Sequence, residues 1–246
     1  MSILTSIIDR TISGSFESDL FFNVRDCAFQ YCKKLTSVSF PSVTSIGRNA
    51  FSSCENLTSV SFPEVTSIDQ YAFYSCSSLT EISLPNAISI GSRAFQNCSS
   101  LTSASFPNAT SIGNYAFRSC SSLTSVFFPN TTSIGSYAFE SCSSLTSVSI
   151  PNATSIDGSA FYSCSNLTEV SFPNVTSIGS DTFSYCSKLT TIYVGTNTST
   201  VCTLSNTNAF NNCTALTNIY VPASLVDSYK SATNWSNYAS KIKAAP

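Results

Sequence analysis

Polar and apolar positions in this chain repeat every 22 residues. Apolar side chains recur as Leu57-x-x-Val60-x-Phe62, then Val65 and Ile68, then Ala72-Phe73 and Cys76, with Ser, Thr and Asn filling most positions between them. Seven units of this kind start at Leu35, Leu57, Leu79, Leu101, Leu123, Leu145 and Leu167, and cysteines keep the same step from Cys32 to Cys186. A fixed period of this length is the signature of a repeat solenoid, in which each unit forms one coil and buries its apolar face against its neighbours. Within a unit, Val60-x-Phe62 has the period-2 spacing of a strand, with Ser59 and Ser61 on the opposite face. Strands of successive coils are expected to pair in parallel. Proline follows each strand, as at Pro41, Pro63 and Pro85, where its missing N–H ends the ladder and its fixed φ starts a bend. The next turn carries Gly47, Gly91, Gly113, Gly135 and Gly179, with Asp69 and Asp157 in the same column. These types tolerate positive φ, so a left-handed backbone is expected there. Ala72-Phe73-x-x-Cys76 reads as a short helical turn whose apolar residues face back toward the strand.

The same alignment divides the chain into parts of one solenoid domain. Residues 1–34 form a degenerate N-terminal repeat or cap, 35–188 the seven regular units, 189–215 an eighth with five extra residues within Gly195 to Asn208, and 216–246 a last strand and a helical C-terminal cap. In the first part Val24 to Phe29 and Cys32 keep the back half of a unit, while the apparent front half, Leu4-Thr-Ser-Ile7, sits nine residues too early. In the last part Ser224-Leu-Val-Asp227 reads as a capping-box start to a helix. Leu225, Val226, Tyr229, Trp235, Tyr238 and Ile242 are expected to cover the open end of the core.

Composition narrows the chemistry. A net charge of −2 with 10% charged residues offers no basic field for nucleic acid. The longest apolar stretch falls far short of the roughly 20 residues that span a bilayer, so no membrane insertion is expected, and the N-terminus lacks the features of a signal peptide. The chain contains no histidine, which removes the commonest general base and the Ser-His and Cys-His nucleophile pairs. Acidic residues are scattered among columns and no Gly-rich phosphate loop is present. No catalytic residue, cofactor or metal site is nominated, and the chain is not expected to be an enzyme.

Eleven cysteines call for a separate account. Eight occupy one inward column and Cys213 continues it, so they read as reduced, buried packing residues. A disulfide between adjacent coils is the alternative, and it would be strained in a ladder of about 4.8 Å spacing. Cys27 and Cys202 lie outside the column and are the two suspected of reactivity. Asn-x-Thr recurs at Asn108, Asn130, Asn152 and Asn174, where turn formation explains the asparagine.

Comparison of columns within the chain suggests where a partner would bind. The strand face is mostly serine, with Phe127 as an exception. Two columns on the turn vary far more and would present Tyr71, Tyr74, Arg93, Tyr115, Arg118, Tyr137 and Tyr162 on one face, since residues three apart on a helical turn share it. Tyr and Arg are the types in which binding energy concentrates. The competing account is that the tyrosines stack only to cover the core and that Arg118 pairs with Glu140 of the next coil. Tyr193 and Tyr220 form a smaller rival patch on the strand face.

The consensus L-x-x-V-x-F-P-x-x-x-x-I-G-x-x-A-F-x-x-C resembles the BspA-like leucine-rich repeats over about residues 24–222. The resemblance implies a right-handed leucine-rich-repeat coil with parallel β-strands on one face, short helical turns opposite and a C-terminal helical cap. It also implies a secreted or cell-surface protein that binds other proteins or cells, so the expected function is a non-enzymatic protein-binding or adhesion module. Its partner would be a protein ligand, for example a host surface or matrix protein. A structural spacer or assembly module, as in a phage tail or surface fibre, is the alternative.

Overall fold

The computed structural model of the chain describes residues 13–18 and 22–246. Each 22-residue unit is one coil, and each coil contributes to two parallel sheets. The expected strands are present as Ser59–Ser61, Glu81–Ser83, Ser103–Ser105 and their equivalents. They pair one unit apart, Ser37 with Ser59 and Val38 with Val60. This front ladder is divided into three segments, with breaks after Ser59–Ser61 and after Ser125–Phe127. The second sheet was not anticipated. It is made of two-residue strands such as Ser45–Ile46, Ser67–Ile68 and Ser89–Ile90, and its nine strands run unbroken from Asn23–Val24 to Thr203–Leu204. Two residues are too few to display a period of two, so the continuous ladder of the molecule is the one hidden in the sequence.

The segment read as a helical turn is not helical. Tyr71 and Ser75 have φ of 60° and 56°, so left-handed residues four apart interrupt the turn. The N–H groups of Tyr71, Phe73 and Ser75 donate forward to the carbonyls of Ser92, Ala94 and Gln96 in the following coil, while Ala72, Tyr74 and Cys76 close local turns onto Asp69, Tyr71 and Phe73. By contrast, the N–H groups of Thr58, Thr66 and Asp69 donate backward, to Thr36, Thr44 and Ile46.

The left-handed positions are therefore the columns of Tyr71 and Ser75, and not the glycine column, which corrects the expectation for Gly47, Gly91, Gly113, Gly135 and Gly179. Glycine is there for space. A Cβ on Gly91 would lie 2.6 Å from the Asp69 carbonyl carbon and 2.7 Å from the Ile68 carbonyl oxygen, because adjacent coils approach backbone to backbone at that corner.

Inside, the rings form a spine. Phe51, Phe73, Phe95, Phe117, Phe139 and Phe161 stack one per coil, with centroids 5.1 to 5.3 Å apart between neighbours. The cysteine column runs beside it and is buried and unbridged. From Cys54 onward each thiol of the column donates to a phenylalanine carbonyl of the preceding coil, as Cys76 Sγ to Phe51 at 3.1 Å and Cys98 Sγ to Phe73 at 3.2 Å. Burial pushes the Cys98 and Cys164 thiols up to about 12. Outside, polar side chains staple the coils. Thr102 Oγ1 donates to the Thr80 carbonyl, and Asn108, Asn130, Asn152 and Asn174 donate Nδ2 to Pro85, Pro107, Pro129 and Pro151 at 2.7 to 2.8 Å. The asparagines of the Asn-x-Thr sites thus have their side-chain nitrogens engaged between coils.

At the N-terminal end, Ser13–Glu17 pairs with Lys34–Ser39, and Phe16 packs 5.5 Å from Phe29 and 5.6 Å from Phe40. Residues 4–7, expected to form this front half, lie outside the described residues. At the other end a 3-10 turn, Ala223–Leu225, leads into the helix Val226–Ser231, a second 3-10 segment Trp235–Lys241 and a strand Ile242–Ala244. Two details differ from expectation. Ser224 makes no capping bond, because it lies inside the 3-10 turn and the helix starts at Val226. Ile242 is not merely a covering side chain, for its strand pairs in parallel with Asn218–Val221. Trp235 is fully buried and packs on Phe210 and Tyr229.

Candidate interaction face

The turn segments place the variable columns on one side of the coil stack, and all seven nominated residues there are half-buried. Tyr71 and Tyr74 meet edge to face with centroids 5.7 Å apart. Arg93 lies between Tyr71 and Tyr115, its guanidinium carbon 5.4 and 4.5 Å from their ring centroids, and its Nη1 donates to the Tyr71 hydroxyl at 2.9 Å. Tyr115 and Tyr137 stack at 4.9 Å with planes 1° apart. Arg118 reaches over Tyr115 at 5.7 Å and grips Glu140 through two contacts, Nε to Oε2 at 2.7 Å and Nη2 to Oε1 at 3.3 Å. Six of the seven residues thus join in one patch. Tyr162 stands with Tyr185 instead, with ring centroids 5.2 Å apart. Its hydroxyl pKa is raised above the usual phenol value, first by desolvation and then by Tyr185.

The ladder stands at an unfavourable backbone. Tyr71, Arg93, Tyr115 and Tyr137 have φ of 58° to 60°, where Asn and Asp are at home and other side chains cost roughly 1–2 kcal/mol. The same column holds Asn49, Ser159 and Asp181 in other coils. Ring stacking and cation–π contact, each worth about 0.5–1.5 kcal/mol, offset that cost where Tyr and Arg stand side by side. Both the stacking and the Arg118–Glu140 pair of the competing account are therefore real features of this face.

A groove of about 530 Å3 runs along the edge of the patch, over the coils that carry Tyr71, Arg93 and Tyr115. It is lined by Gly47, Gly91 and Gly113 of the glycine column, by Asp69, and by polar residues that include Ser67, Gln70 and Ser89. The close approach that forces glycine into this column is also what leaves the surface concave there.

Other nominated positions resolve differently. Cys27 is exposed, but Cys202 is 1% exposed and burial pushes its thiol up to about 12, so its suspected reactivity is withdrawn. Tyr193 and Tyr220 stack at 5.0 Å on the strand face. Four exposed rings among the described residues escaped nomination, Phe22 at 72%, Phe127 at 56%, Tyr31 at 51% and Tyr185 at 46%; Tyr31, Phe127 and Tyr185 stand in columns otherwise of Ser and Asn, a signal present in the sequence. Among the described residues no group of three or more Cys, Asp and Glu is placed to hold a metal ion, and no helix is long and apolar enough to cross a membrane.

Comparison with known proteins agrees with this geometry. The sequence profile described as BspA type leucine rich repeat region matches residues 22–133 and 110–241 in six copies. Among solved structures, a leucine-rich repeat protein from Bacteroides ovatus is similar at 26% identity and a TM-score of 0.60, over 87% of this chain and 68% of that one. A leucine-rich repeat protein of T. pallidum is similar at 27% identity and a TM-score of 0.52, over 71% and 77% of the two chains. The pneumococcal vaccine antigen PcpA shares the fold at 14% identity and a TM-score of 0.55, over 90% and 70%. No curated protein sequence matches the chain.

Proposed function

Because this chain belongs to the BspA-type leucine-rich repeat family, we propose that it is a non-enzymatic protein-binding module of a secreted or cell-surface protein. Its partner, a surface or matrix protein, docks on the turn face. Leucine-rich repeats generally serve as protein-interaction scaffolds, and the observation that carries the site is the ladder Tyr71–Arg93–Tyr115–Tyr137. Four successive coils place large planar groups at a left-handed position that Asn or Asp would fill with less strain. Rigid rings and a forked cation are the groups that yield most when covered by a partner. The serine columns offer hydrated hydroxyls, each worth only about 0.5–1.5 kcal/mol when hydrogen-bonded.

Head-to-tail stacking as an assembly module is less favoured. Trp235 and Tyr229 seal the last coil, and the edge strand Ile242–Ala244 carries Lys243, a charge of the kind that blunts an edge.

The test is a pair of variant sets. Replacing Tyr71, Arg93, Tyr115 and Tyr137 by Ser, a residue this column already holds at Ser159, is expected to weaken a pulled-down partner at least about tenfold by calorimetry. Replacing Ser59, Ser103, Ser125 and Ser147 by Ala leaves affinity nearly unchanged. Losses that follow the serine set instead place the partner on the strand face.

A further inference from the structure

We propose that Arg93 is the anchor of this face and that it receives a carboxylate from an extended acidic segment of the partner lying in the adjoining groove. The proposal rests on the turn-face reading above and adds the chemistry of what docks there.

The two arginines of the patch differ in one respect. Arg118 already holds Glu140 in a two-point ion pair. Among the described residues Arg93 has no carboxylate within ion-pair distance; its polar contact is Nη1 to the Tyr71 hydroxyl. Tyr71 and Tyr115 hold its plane from two sides, 5.4 and 4.5 Å from the guanidinium carbon. A guanidinium fixed by stacking keeps the edge of its fork for an acceptor, and its geometry matches a carboxylate through two parallel N–H···O bonds. Preorganisation matters, because a free arginine loses side-chain freedom on binding that Arg93 has lost already.

The groove supplies the second half of the argument. It spans the coils of Gly47 to Gly113, and its lining reaches Gln70 and Ser92, the residues that precede Tyr71 and Arg93 in the chain. Its lining includes the glycine column, and Ser67, Ser89 and Gln70 offer hydrogen bonds along it. A chain in extended conformation can lie in such a channel with one side chain turned onto Arg93. Asp69 is the one acidic group lining the channel and repels a polyanion by a screened interaction.

The probe is acetylated and amidated hexaglutamate, read in the full chain at low salt by the arginine Nε–Hε NMR signals. Hexaglutamate is expected to shift the Arg93 signal and leave that of Arg118 in place, whereas hexaglutamine and maltohexaose shift neither. Arg93→Lys, which keeps the charge and removes the fork, weakens hexaglutamate about tenfold. Arg118→Lys does not. Asp69→Asn, which leaves Arg93 untouched, tightens it. Equal binding to Arg93→Lys, a response to maltohexaose in place of hexaglutamate, or no gain from Asp69→Asn overturns the proposal. If hexaglutamate fails while the four-residue serine variant still loses its partner, only the carboxylate assignment falls. If hexaglutamate behaves as expected but that variant keeps its partner, the turn-face reading falls instead.

Discussion

The Trp235 indole N–H donates to the Cys202 carbonyl at 2.6 Å, while the Cys202 amide donates to the Tyr229 hydroxyl at 2.9 Å. The five extra residues of the eighth unit are thus held by the cap, and the two form one structure. Trp235→Phe keeps most of the ring packing on Phe210 and Tyr229 but removes the donor from a buried carbonyl. The expected cost is about 1–3 kcal/mol, against about 3–5 kcal/mol for Trp235→Ala. Urea denaturation measures both, and a Trp235→Phe variant as stable as the parent would show that the hydrogen bond contributes nothing.

Glycine in the corner column is tested by a contrasting pair. Gly91→Ala places a Cβ 2.6 Å from the Asp69 carbonyl carbon, so two backbones must separate, whereas the nearest atom to a Cβ at Gly158 is 3.3 Å away. Gly91→Ala is expected to lose about 1–3 kcal/mol, and Gly158→Ala to change stability by less than about 1 kcal/mol. A thermal melt of each variant decides it.

Thiol chemistry follows burial. A maleimide is expected to label Cys27 alone in the native protein and all eleven cysteines after unfolding, as read by intact-mass spectrometry. Native labelling of Cys202 or of a ladder cysteine would contradict the packing.

Alkaline stability follows from the same thiols. Cys98, Cys164 and Cys202 titrate near 12 when folded, against an ordinary 9.0. A folded value above the unfolded one means that the stabilisation is fully present below pH 9.0 and is lost as pH rises toward about 12. Denaturation midpoints measured from pH 8 to 11 should fall in the upper part of that range, and replacing Cys98 and Cys164 by Ala should flatten the slope while lowering stability at pH 8.

Removing Leu101 to Ser122 in frame should leave a folded, shorter solenoid, since every coil bonds only to its neighbours. Tyr137 would then take the place of Tyr115 against Arg93. Far-UV circular dichroism should keep its shape, and a disordered spectrum would refute the modular reading.

Much of this fold is legible in the period of 22, because a column that repeats in seven units must face the same way in all of them. The core columns follow from that alone, and the lid role of Trp235 from the apolar residues that follow the last strand. Gly91 shows where the inference stops. Glycine serves equally for a left-handed backbone and for close approach, and only the distance to Asp69 tells them apart. The left-handed residues are Tyr71 and Arg93, types that give no hint of it, and the Ser67–Ile68 strand is too short for any periodicity. The turn-face residues were visible as variation between columns. Of their contacts, the Arg118–Glu140 pair follows from the 22-residue step, whereas the seat of Arg93 between Tyr71 and Tyr115 does not, since it depends on how the turn aims each side chain.

The opposed directions of the inter-coil hydrogen bonds carry an electrostatic consequence. An α-helix aligns its peptide dipoles and gathers about half a charge at each end. Here the N–H groups at 71, 73 and 75 point toward the following coil and those at 58, 66 and 69 toward the preceding one, so their moments largely cancel within each turn. Lengthening such a stack adds coils without building a field along its axis. Evolution can therefore duplicate or delete units by whole coils, with no charged residues needed at either end to neutralise what the backbone would otherwise accumulate.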